Sequence, residues 1–354
     1  MAEQVRVGER QIGGDAPPLI VAEAGVNHDG SVARALDLVR AAAEVGADAV
    51  KFQTFHADAL ARPDAAQAAY QRERAPSATQ REMLRHLELP DDAWGRLSEE
   101  AAACGILFLS TPFDVRSAEL LAKLSMPAFK VGSGDLTNLV LLRALAAFGR
   151  PLLISTGMAT LHEIDVSLAD VRAHGDPPIV LLHCTSAYPA PMADANLRAM
   201  ATLRDRYAVP VGYSDHTTGL GAAVAAAGLG AAVIEKHITM DRSLPGPDHA
   251  ASLEPGEFAA MAGAARDAAM ALGSEEKRPA ASELDARKVA RRSLAVVSAL
   301  PAGHVLREED LTALRPADGI SPQRLDEVVG RPLARDVKAA ATLLPEDLDP
   351  PLGG

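Results

Sequence analysis

Short apolar and β-branched runs alternate with longer segments rich in alanine, leucine and glutamate along most of the chain, starting at Leu19. Apolar runs bounded by polar segments are typical of buried strands, and the longer segments are typical of helices. Eight runs follow this pattern, namely Leu19–Ala24, Ala49–Thr54, Ile106–Thr111, Ala128–Ser133, Pro151–Gly157, Ile179–Thr185, Pro210–His216 and Ala232–Thr239. Eight βα units in about 250 residues predict a (β/α)8 barrel of the TIM type. An open Rossmann sheet is disfavoured because no glycine-rich dinucleotide motif follows the first run.

The pattern changes after Gly273, where a charged, proline-containing stretch indicates a linker. We therefore predict a barrel domain over residues 1–273, a linker over 274–290 and a small second domain over 291–354. The elements expected in the second domain are a strand at Ser293–Val297, a turn at Pro301–Gly303, a helical turn at Glu308–Leu311, and a helix with Ser321 as N-cap, Pro322 in its first turn and Gly330 at its end. About 60 residues form a marginal core, so this domain is expected to depend on the barrel or on another chain.

Composition narrows the class of protein further. The chain has 354 residues, of which 48% are hydrophobic and 23% are charged, as in an ordinary globular protein. Its formal net charge of −12 argues against a nucleic-acid or anionic-membrane partner. We expect a cytoplasmic protein, because there is neither an apolar run of about 18 residues nor a signal-peptide pattern. Cys104 and Cys184 stand apart from each other and are expected to be free thiols.

Polar side chains mark the carboxyl ends of the predicted strands, which converge on one face of a barrel. Lys51 and Lys130 lie inside two of these strands, where a buried ammonium group costs several kcal/mol unless an anion accompanies it. For either lysine alone, a structural carboxylate partner is the alternative. Hydroxyl groups at matching depth favour a site for a phosphate and a carboxylate, and they belong to Thr111, Ser133, Ser155 and Ser214.

His216 and His237 end the seventh and eighth predicted strands, which are neighbours in a barrel. Two imidazoles form an incomplete metal shell, whose remaining positions water and substrate oxygen atoms would fill. An oxygen-rich site of this kind suits manganese, with magnesium or cobalt as alternatives, and does not suit a closed structural zinc. A structural role is the usual alternative for a single strand-end histidine.

Carboxylates complete the set of candidate site residues. Glu23 and Asp135 end the first and fourth strands and are candidates for acid–base catalysis, or they only balance a nearby positive charge. Asp215 either orients a histidine or caps the following helix. Asp248 follows a Pro-Gly-Pro sequence, which either presents it to a substrate hydroxyl or forms an ordinary surface turn.

Taken together, these segments resemble the sialic acid synthase family, which includes N-acetylneuraminate, legionaminate and spore-coat-polysaccharide synthases. The likeness covers nearly the whole chain, and the order of the motifs is highly specific although each motif alone is weak. The motifs are Ala22–Gly30 (AEAGVNHDG), Val50–Thr54 (VKFQT), Ser110–Asp114 (STPFD), Phe129–Asp135 (FKVGSGD), Ile154–Met158 (ISTGM), Leu182–Pro191 (LHCTSAYPAP), Gly212–Thr217 (GYSDHT), Glu235–His237 (EKH) and, in the tail, Leu314–Pro322 (LRPADGISP).

The resemblance implies a barrel followed by an antifreeze-like SAF domain of the β-clip type. It implies an enzyme that condenses phosphoenolpyruvate with an N-acyl-mannosamine-type sugar to give a sialic-acid-type acid. It also implies a domain-swapped homodimer, in which Arg315 reaches the N-acyl group of the sugar across the subunit interface. The implied site residues are Lys51, Thr111, Lys130, Ser133, Ser155, Ser186 and Ser214 for phosphoenolpyruvate, His216 and His237 for the metal, and Glu23, Asp135, Tyr188 and Asp248 for the sugar side.

The chain departs from the family pattern at three positions. Asp135 stands where many neuraminate synthases carry glutamate, and Arg74 and Ser186 stand where relatives carry asparagine. Because these positions touch the sugar side, a legionaminate-type synthase that uses a 2,4-diacetamido-trideoxyhexose is an alternative. The residues are also compatible with a keto-deoxy-sugar-phosphate synthase of the same barrel class and with a non-catalytic carbohydrate-binding homologue.

Overall fold

The structure is a computed structural model and describes residues 4–353. It divides into two units, the first ending at Gly273 and the second beginning at Ser274. Among the described residues, no helix is both long enough and apolar enough to cross a membrane.

The first unit begins with a short antiparallel hairpin of β1 (Val5–Val7) and β2 (Arg10–Ile12). Eight parallel strands follow, namely β3 (Leu19–Gly25), β4 (Ala49–Thr54), β5 (Leu107–Pro112), β6 (Phe129–Val131), β7 (Leu152–Ser155), β8 (Ile179–Cys184), β9 (Val211–Asp215) and β10 (Val233–His237). The helices of this unit are α1 (Val32–Glu44), α2 (Ala57–Leu60), α3 (Ala69–Arg74), α4 (Gln80–Leu87), α5 (Ala93–Ala103), α6 (Val115–Lys123), α7 (Leu139–Ala147), α8 (Leu161–Ala173), α9 (Ala199–Tyr207), α10 (Gly221–Gly228) and α11 (Pro255–Ala271).

The eight parallel strands form a nearly closed barrel, which confirms the predicted fold class. Their order in the sheet is β5-β4-β3-β10-β9-β8-β7-β6. The two outer strands of this order, β5 and β6, lie side by side, although the described residues form no hydrogen-bonded ladder between them. Each predicted run overlaps one strand, so the alternation of apolar runs and helical segments correctly predicted every barrel strand to within a few residues.

Inward-facing side chains change from apolar to polar along the barrel axis. On β4, Ala49 belongs to an apolar cluster at the amino ends of the strands, and Lys51 and Gln53 follow at two-residue intervals toward the carboxyl ends. The hairpin of β1 and β2, which the sequence pattern did not reveal, adds Val5, Val7 and Ile12 to the same cluster. The amino-terminal end of the barrel is therefore packed with apolar side chains, and the polar groups lie toward the other end.

Three short helices, α2 to α4, lie between β4 and α5 and contribute to a separate apolar cluster above the strands. The buried members of this cluster are Val26, Phe55, Met83 and Leu87, with Leu60, Ala75, Leu84 and Phe113 packed against them. Residues 57–87 thus form a side wall next to the carboxyl ends of β3, β4 and β5.

The second unit contains α12 (Leu284–Ala290), the antiparallel strands β11 (Ser293–Val296) and β12 (Leu311–Leu314), and α13 (Leu325–Val328). Its core is aliphatic and includes Leu294, Val296, Leu306, Ile320 and Leu343. Ser321 accepts a hydrogen bond from the backbone N–H of Gln323 at the start of the helical segment, as expected for an N-cap. The segment interpreted as a linker carries α12, and Leu311 begins a strand rather than ending a helical turn.

Candidate active site

A cavity of about 510 Å³ opens at the carboxyl ends of the barrel strands. The candidate residues that line it are Glu23, Lys51, Thr111, Lys130, Ser133, Ser155, Ser186, Tyr188, Ser214, His216, His237 and Asp248. Asp135 is not among its lining residues, and Arg315 belongs to the second unit. The strand-end positions selected from the sequence therefore converge around one cavity.

Two lysines and two carboxylates form the floor of this cavity. The Nζ atom of Lys51 lies 2.6 Å from a carboxylate oxygen of Glu23 and 3.7 Å from one of Glu235. The Nζ atom of Lys130 lies 3.8 Å from the other oxygen of Glu235. Lys51 and Lys130 are each 3% exposed, so the four charges interact at low dielectric. The lysines thus have carboxylate partners and also face the cavity.

Burial and these contacts shift the proton affinities of the floor residues. Burial raises the pKa of Glu23 to about 7, although Lys51 opposes the shift. Burial also lowers the pKa of Lys130. For Glu235 burial acts in the raising direction, but Lys130 and Lys51 outweigh it and lower its pKa. Glu23 can therefore exchange a proton near neutral pH, whereas Glu235 remains a carboxylate.

Hydroxyl groups surround the lysines on the side of β5 to β8. Lys51 donates to Thr111 Oγ1 at 3.2 Å, and Lys130 donates to Ser155 Oγ at 2.6 Å. The hydroxyl of Ser186 is buried and has no hydrogen-bond partner among the described residues. An unpartnered buried hydroxyl in the cavity that also holds two ammonium groups indicates a place for ligand oxygen atoms.

Gly157 permits the hydroxyl groups of Ser133 and Ser186 to pack closely against the backbone. A Cβ atom at Gly157 would lie 2.3 Å from Ser186 Oγ and 2.8 Å from both Ser133 Oγ and Cys184 Sγ. Its backbone N–H also donates to Ser133 Oγ at 3.0 Å. Glycine therefore brings a backbone donor into the site where any side chain would collide with the hydroxyls.

His216 and His237 present neutral imidazoles at the ends of β9 and β10. Their ring centroids lie 5.5 Å apart. His216 donates from Nδ1 to the carbonyl oxygen of Thr185 at 2.8 Å, which leaves its Nε2 unprotonated. Burial, followed by His216 and the nearby lysines, holds the pKa of His237 well below its ordinary value. The Nδ1 atom of His237 is buried without a hydrogen-bond partner in the part of the chain that is described.

The ring nitrogens of His216 and His237 fit a divalent ion for which the protein supplies only part of the coordination shell. Imidazole nitrogens bind such ions when neutral, and burial favours the neutral form by lowering the pKa of both rings. Within residues 4–353 there is no group of three or more histidine, cysteine, aspartate or glutamate side chains arranged to hold a metal. The two histidines would therefore need water or substrate oxygen atoms to complete the coordination.

Tyr188 and Asp248 flank the histidine pair. The ring of Tyr188 lies 4.3 Å from that of His216, centroid to centroid, and 5.9 Å from that of His237. Asp248 is buried, and burial raises its pKa to about 6. Both residues line the cavity, Tyr188 from the loop after β8 and Asp248 from the loop after β10.

Asp135 and Asp215 make contacts that the sequence did not predict. Asp135 accepts a hydrogen bond from the amide of Asn138 at 2.9 Å, and burial raises its pKa. Asp215 forms a fully buried ion pair with Lys236 at 2.7 Å and accepts hydrogen bonds from the N–H and hydroxyl of Thr217. These contacts match neither the histidine-orienting role nor the helix-capping role, and Asp215 instead fixes the backbone that follows His216.

Glu235 and Gln53 are site residues to which the sequence reasoning gave no role. Glu235 accepts a hydrogen bond from Ser214 Oγ at 2.9 Å, and Gln53 donates to Glu23 at 3.2 Å. The two-residue period of strands contained the signal, because Glu235 precedes the inward-facing His237 by two positions. Arg315 is exposed in the second unit, and its role across a subunit interface stays a prediction.

Comparison with known proteins supports the resemblance seen in the motifs. The model of the NeuB family matches residues 38–277, and that of the SAF domain matches residues 291–349. An N,N'-diacetyllegionaminic acid synthase of Legionella pneumophila is 47% identical over 335 residues, which cover 93% of this chain and 94% of that protein. A synthase of the same name from Campylobacter jejuni is 42% identical and covers 90% and 97% of the two chains.

Solved structures agree with these sequence relatives. The crystal structure of an N-acetylneuraminic acid synthetase from Leptospira borgpetersenii, in complex with citrate, superimposes with a TM-score of 0.71 at 34% identity. The match covers 81% of this chain and 95% of that one. On its motifs, its barrel and its relatives, the chain belongs to the NeuB family of sialic acid synthases and carries a SAF domain.

Proposed function

We propose that the protein condenses phosphoenolpyruvate with the open-chain aldehyde of an N-acyl-mannosamine-type sugar, giving a nine-carbon sialic-acid-type 2-keto acid and phosphate. One observation carries the proposal. A single cavity holds two buried lysines with a cluster of hydroxyls on one side, and a pair of neutral histidines on the other. An anionic donor and a neutral carbonyl acceptor require these two different environments side by side.

The anion side suits phosphoenolpyruvate. Lys51 and Lys130 supply positive charge, and the hydroxyls of Thr111, Ser155 and Ser186 supply donors for phosphate and carboxylate oxygen atoms. Placing the enol carbon of phosphoenolpyruvate beside a bound aldehyde would convert a bimolecular reaction into an effectively unimolecular one.

Glu23 is the proposed acid–base group. Carbon 3 of phosphoenolpyruvate attacks the aldehyde carbon, and the aldehyde oxygen takes the proton of the Glu23 carboxyl group. Water then adds to carbon 2 and returns a proton to Glu23, after which the tetrahedral centre expels phosphate by cleavage of its C–O bond. A pKa of about 7 suits both steps, because the group must be protonated first and deprotonated afterwards. Asp135 remains a second candidate for assisting the water.

His216 and His237 would hold the divalent ion, for which we propose manganese, with magnesium or cobalt as alternatives. Bound there, the ion would act as a Lewis acid toward the aldehyde oxygen. Tyr188 and Asp248 lie beside the histidines and would face the hydroxyl and N-acyl groups of the sugar.

A legionaminate-type acceptor is the second candidate. The relatives from Legionella pneumophila and Campylobacter jejuni, both named N,N'-diacetyllegionaminic acid synthases, match over at least nine-tenths of this chain. This similarity favours 2,4-diacetamido-2,4,6-trideoxymannose over N-acetylmannosamine as the acceptor.

Phosphate release from phosphoenolpyruvate tests the proposed function. We expect release that requires a sugar acceptor, is lost after chelation and returns with manganese. Comparing N-acetylmannosamine, 2,4-diacetamido-2,4,6-trideoxymannose and no sugar would identify the acceptor. A folded, manganese-loaded protein that releases no phosphate with either sugar would contradict the proposal and favour a carbohydrate-binding role.

A further inference from the structure

We infer that the buried ion pair of Asp215 and Lys236 is a positioning pair, which sets the separation of His216 and His237 and thereby the affinity of the site for its divalent ion. The inference rests on the proposed function. It concerns two charged side chains that are fully buried and do not line the cavity.

The ion pair lies on the outward face of β9 and β10, beside apolar side chains. Ile234 and Ile238 flank Lys236 at the two-residue spacing of a strand, and both belong to the apolar cluster that the strands share with the helices. Charges in such a layer have a desolvation cost that their mutual attraction does not reliably offset, so an apolar pair would serve stability at least as well. A role in fixing positions therefore accounts for the pair better than a role in stability.

The pair also lies where the two segments that carry the histidines separate. The backbone ladder between β9 and β10 ends at Asp215 and Lys236 in the described part of the chain. Beyond that point, the carbonyl oxygen of His216 accepts a hydrogen bond from a backbone N–H of the loop after β8. The carbonyl oxygen of His237 accepts one from a backbone N–H that precedes α11. The two histidines thus lie on segments that turn to different partners.

Lys236 links these two segments directly. Its Nζ atom donates to the carbonyl oxygen of Thr217 at 2.5 Å and to a carboxylate oxygen of Asp215 at 2.7 Å. The other carboxylate oxygen of Asp215 accepts from the N–H and the hydroxyl of Thr217, at 2.9 Å and 2.8 Å. Lys236 directly precedes His237, and Thr217 directly follows the other histidine. The three side chains therefore form a closed link between the backbones of His216 and His237.

Metal affinity depends on this link because the protein supplies only the two imidazoles. The ring of His216 is oriented by its hydrogen bond to the carbonyl oxygen of Thr185. The Nδ1 atom of His237 has no such partner within residues 4–353, so the position of this ring depends on its backbone. Lys236 fixes that backbone relative to the other histidine. Loss of groups that orient metal ligands typically lowers metal affinity about 10- to 100-fold.

Manganese binding by the free protein tests the inference without relying on turnover. Lys236→Met combined with Asp215→Asn removes the link, leaves no buried charge unpaired and keeps an acceptor for the N–H of Thr217. We expect its manganese dissociation constant, measured from the EPR signal of free Mn²⁺, to rise about 10-fold or more. Its affinity for phosphoenolpyruvate, measured without metal, should not change, whereas a general loss of structure would weaken both ligands.

Thr217→Val is a milder variant, because valine has nearly the same shape and only the hydroxyl bond to Asp215 is lost. It should weaken manganese binding in the same direction. Asp48→Asn is the control. The side chain of Asp48 is 8% exposed and pairs with Arg266 at 3.0 Å, but it directly precedes β4 at the opposite end of the barrel. This variant should bind manganese as the original protein does.

Unchanged manganese affinity in the double variant, or in Thr217→Val if the double variant does not fold, would overturn the inference while the proposed function stands. An equal loss of affinity in Asp48→Asn would overturn it as well. If His216→Ala bound manganese as tightly as the original protein, the ion would lie elsewhere, and the proposed metal role would fail together with the inference.

Discussion

Glu235 lies between the two buried ammonium groups, with one carboxylate oxygen 3.7 Å from Lys51 and the other 3.8 Å from Lys130. Burial acts to lower the pKa of both lysines, and the charge of Glu235 acts against it. In the absence of phosphoenolpyruvate, Glu235 and Glu23 are the anions that compensate these lysines. Glu235 therefore allows both lysines to remain charged in the folded protein when no anionic ligand is bound.

Glu235→Gln should destabilise the free protein and make its stability depend more strongly on phosphoenolpyruvate. Removing one partner of a buried ion pair costs about 3 to 5 kcal/mol, because the other charge remains buried. Phosphoenolpyruvate supplies replacement negative charge, so its binding should recover part of the loss. Urea unfolding at several phosphoenolpyruvate concentrations measures both effects.

Glu119→Gln provides the control, because Glu119 is exposed on α6. This variant should match the original protein at every ligand concentration. If Glu235→Gln were as stable as the original protein, and phosphoenolpyruvate stabilised both equally, Glu235 would have no role as a counter-charge.

The sequence predicted which residues line the cavity more accurately than it predicted the contacts that each of them makes. Strand-end position placed Lys51, Lys130 and both metal-ligand candidates at the same cavity. The partners of Asp215 were not predictable, because its outward side chain meets Lys236 of the neighbouring strand and not an adjacent residue in sequence. Contacts of this kind depend on strand register, which the apolar pattern alone does not specify.

At the scale of elements, the loop after β10 carries Asp248 and is held by a buried histidine. The ring nitrogens of His249 lie 2.7 Å from Thr239 Oγ1 and 3.1 Å from a carboxylate oxygen of Asp29. A Cβ atom at Gly246, whose φ is +154°, would lie 2.6 Å from the His249 ring. The ring thus packs on the turn that immediately precedes Asp248 and connects it to the loop after β3.

His249→Asn should raise KM for the sugar about 10-fold and change kcat and KM for phosphoenolpyruvate much less. His249 does not line the cavity, so it acts by positioning Asp248, and a loosened sugar contact affects substrate binding most. Gly246→Ala should act in the same direction, because its methyl group would displace the ring. Steady-state kinetics with each substrate varied in turn measure the difference.

Replacement of the exposed His174 by alanine is the matched control and should leave all constants unchanged. Equal losses in both KM values, or a fall in kcat alone, would mean that His249 supports the barrel in general and not the loop of Asp248.

The sequence prediction did not identify several short elements. β1 and β2 have three residues each and precede the repeated βα pattern, whereas β6 is equally short but was predicted because it belongs to that pattern. α2 has four residues and α3 has six, and both are too short to be stable in isolation. Leu60 of α2 and Ala75 at the end of α3 pack against the apolar cluster above the strands. The long, periodic elements were predicted because their own sequence contains enough repeats of the pattern.

At the scale of the whole molecule, the SAF domain has a small core. Its exposed Arg315 directly follows β12. The family resemblance predicts that this arginine serves the barrel of the other subunit in a swapped homodimer. In such a dimer, each active site combines a barrel from one chain with a SAF domain from the other. Two chains with different defects can then form one complete active site in a heterodimer.

Mixing Arg315→Ala with Lys51→Ala should restore activity that neither variant has alone. In a heterodimer, the barrel of the Arg315→Ala chain would receive an intact Arg315 from the Lys51→Ala chain, so one of its two sites would be complete. Random exchange of subunits makes half of the dimers heterodimers, and the mixture should therefore reach roughly a quarter of the original activity. Phosphate release after subunit exchange measures the recovery.

Lys51→Ala mixed with Lys130→Ala is the control, because both changes lie in the barrel and each heterodimer would contain two damaged sites. It should show no recovery. If the first mixture also stayed inactive although light scattering showed exchanged dimers, Arg315 would either serve the barrel of its own chain or have no part in the site. Recovery in the first mixture alone would require that residues of two chains build each active site, because no other arrangement pairs an intact Lys51 with an intact Arg315.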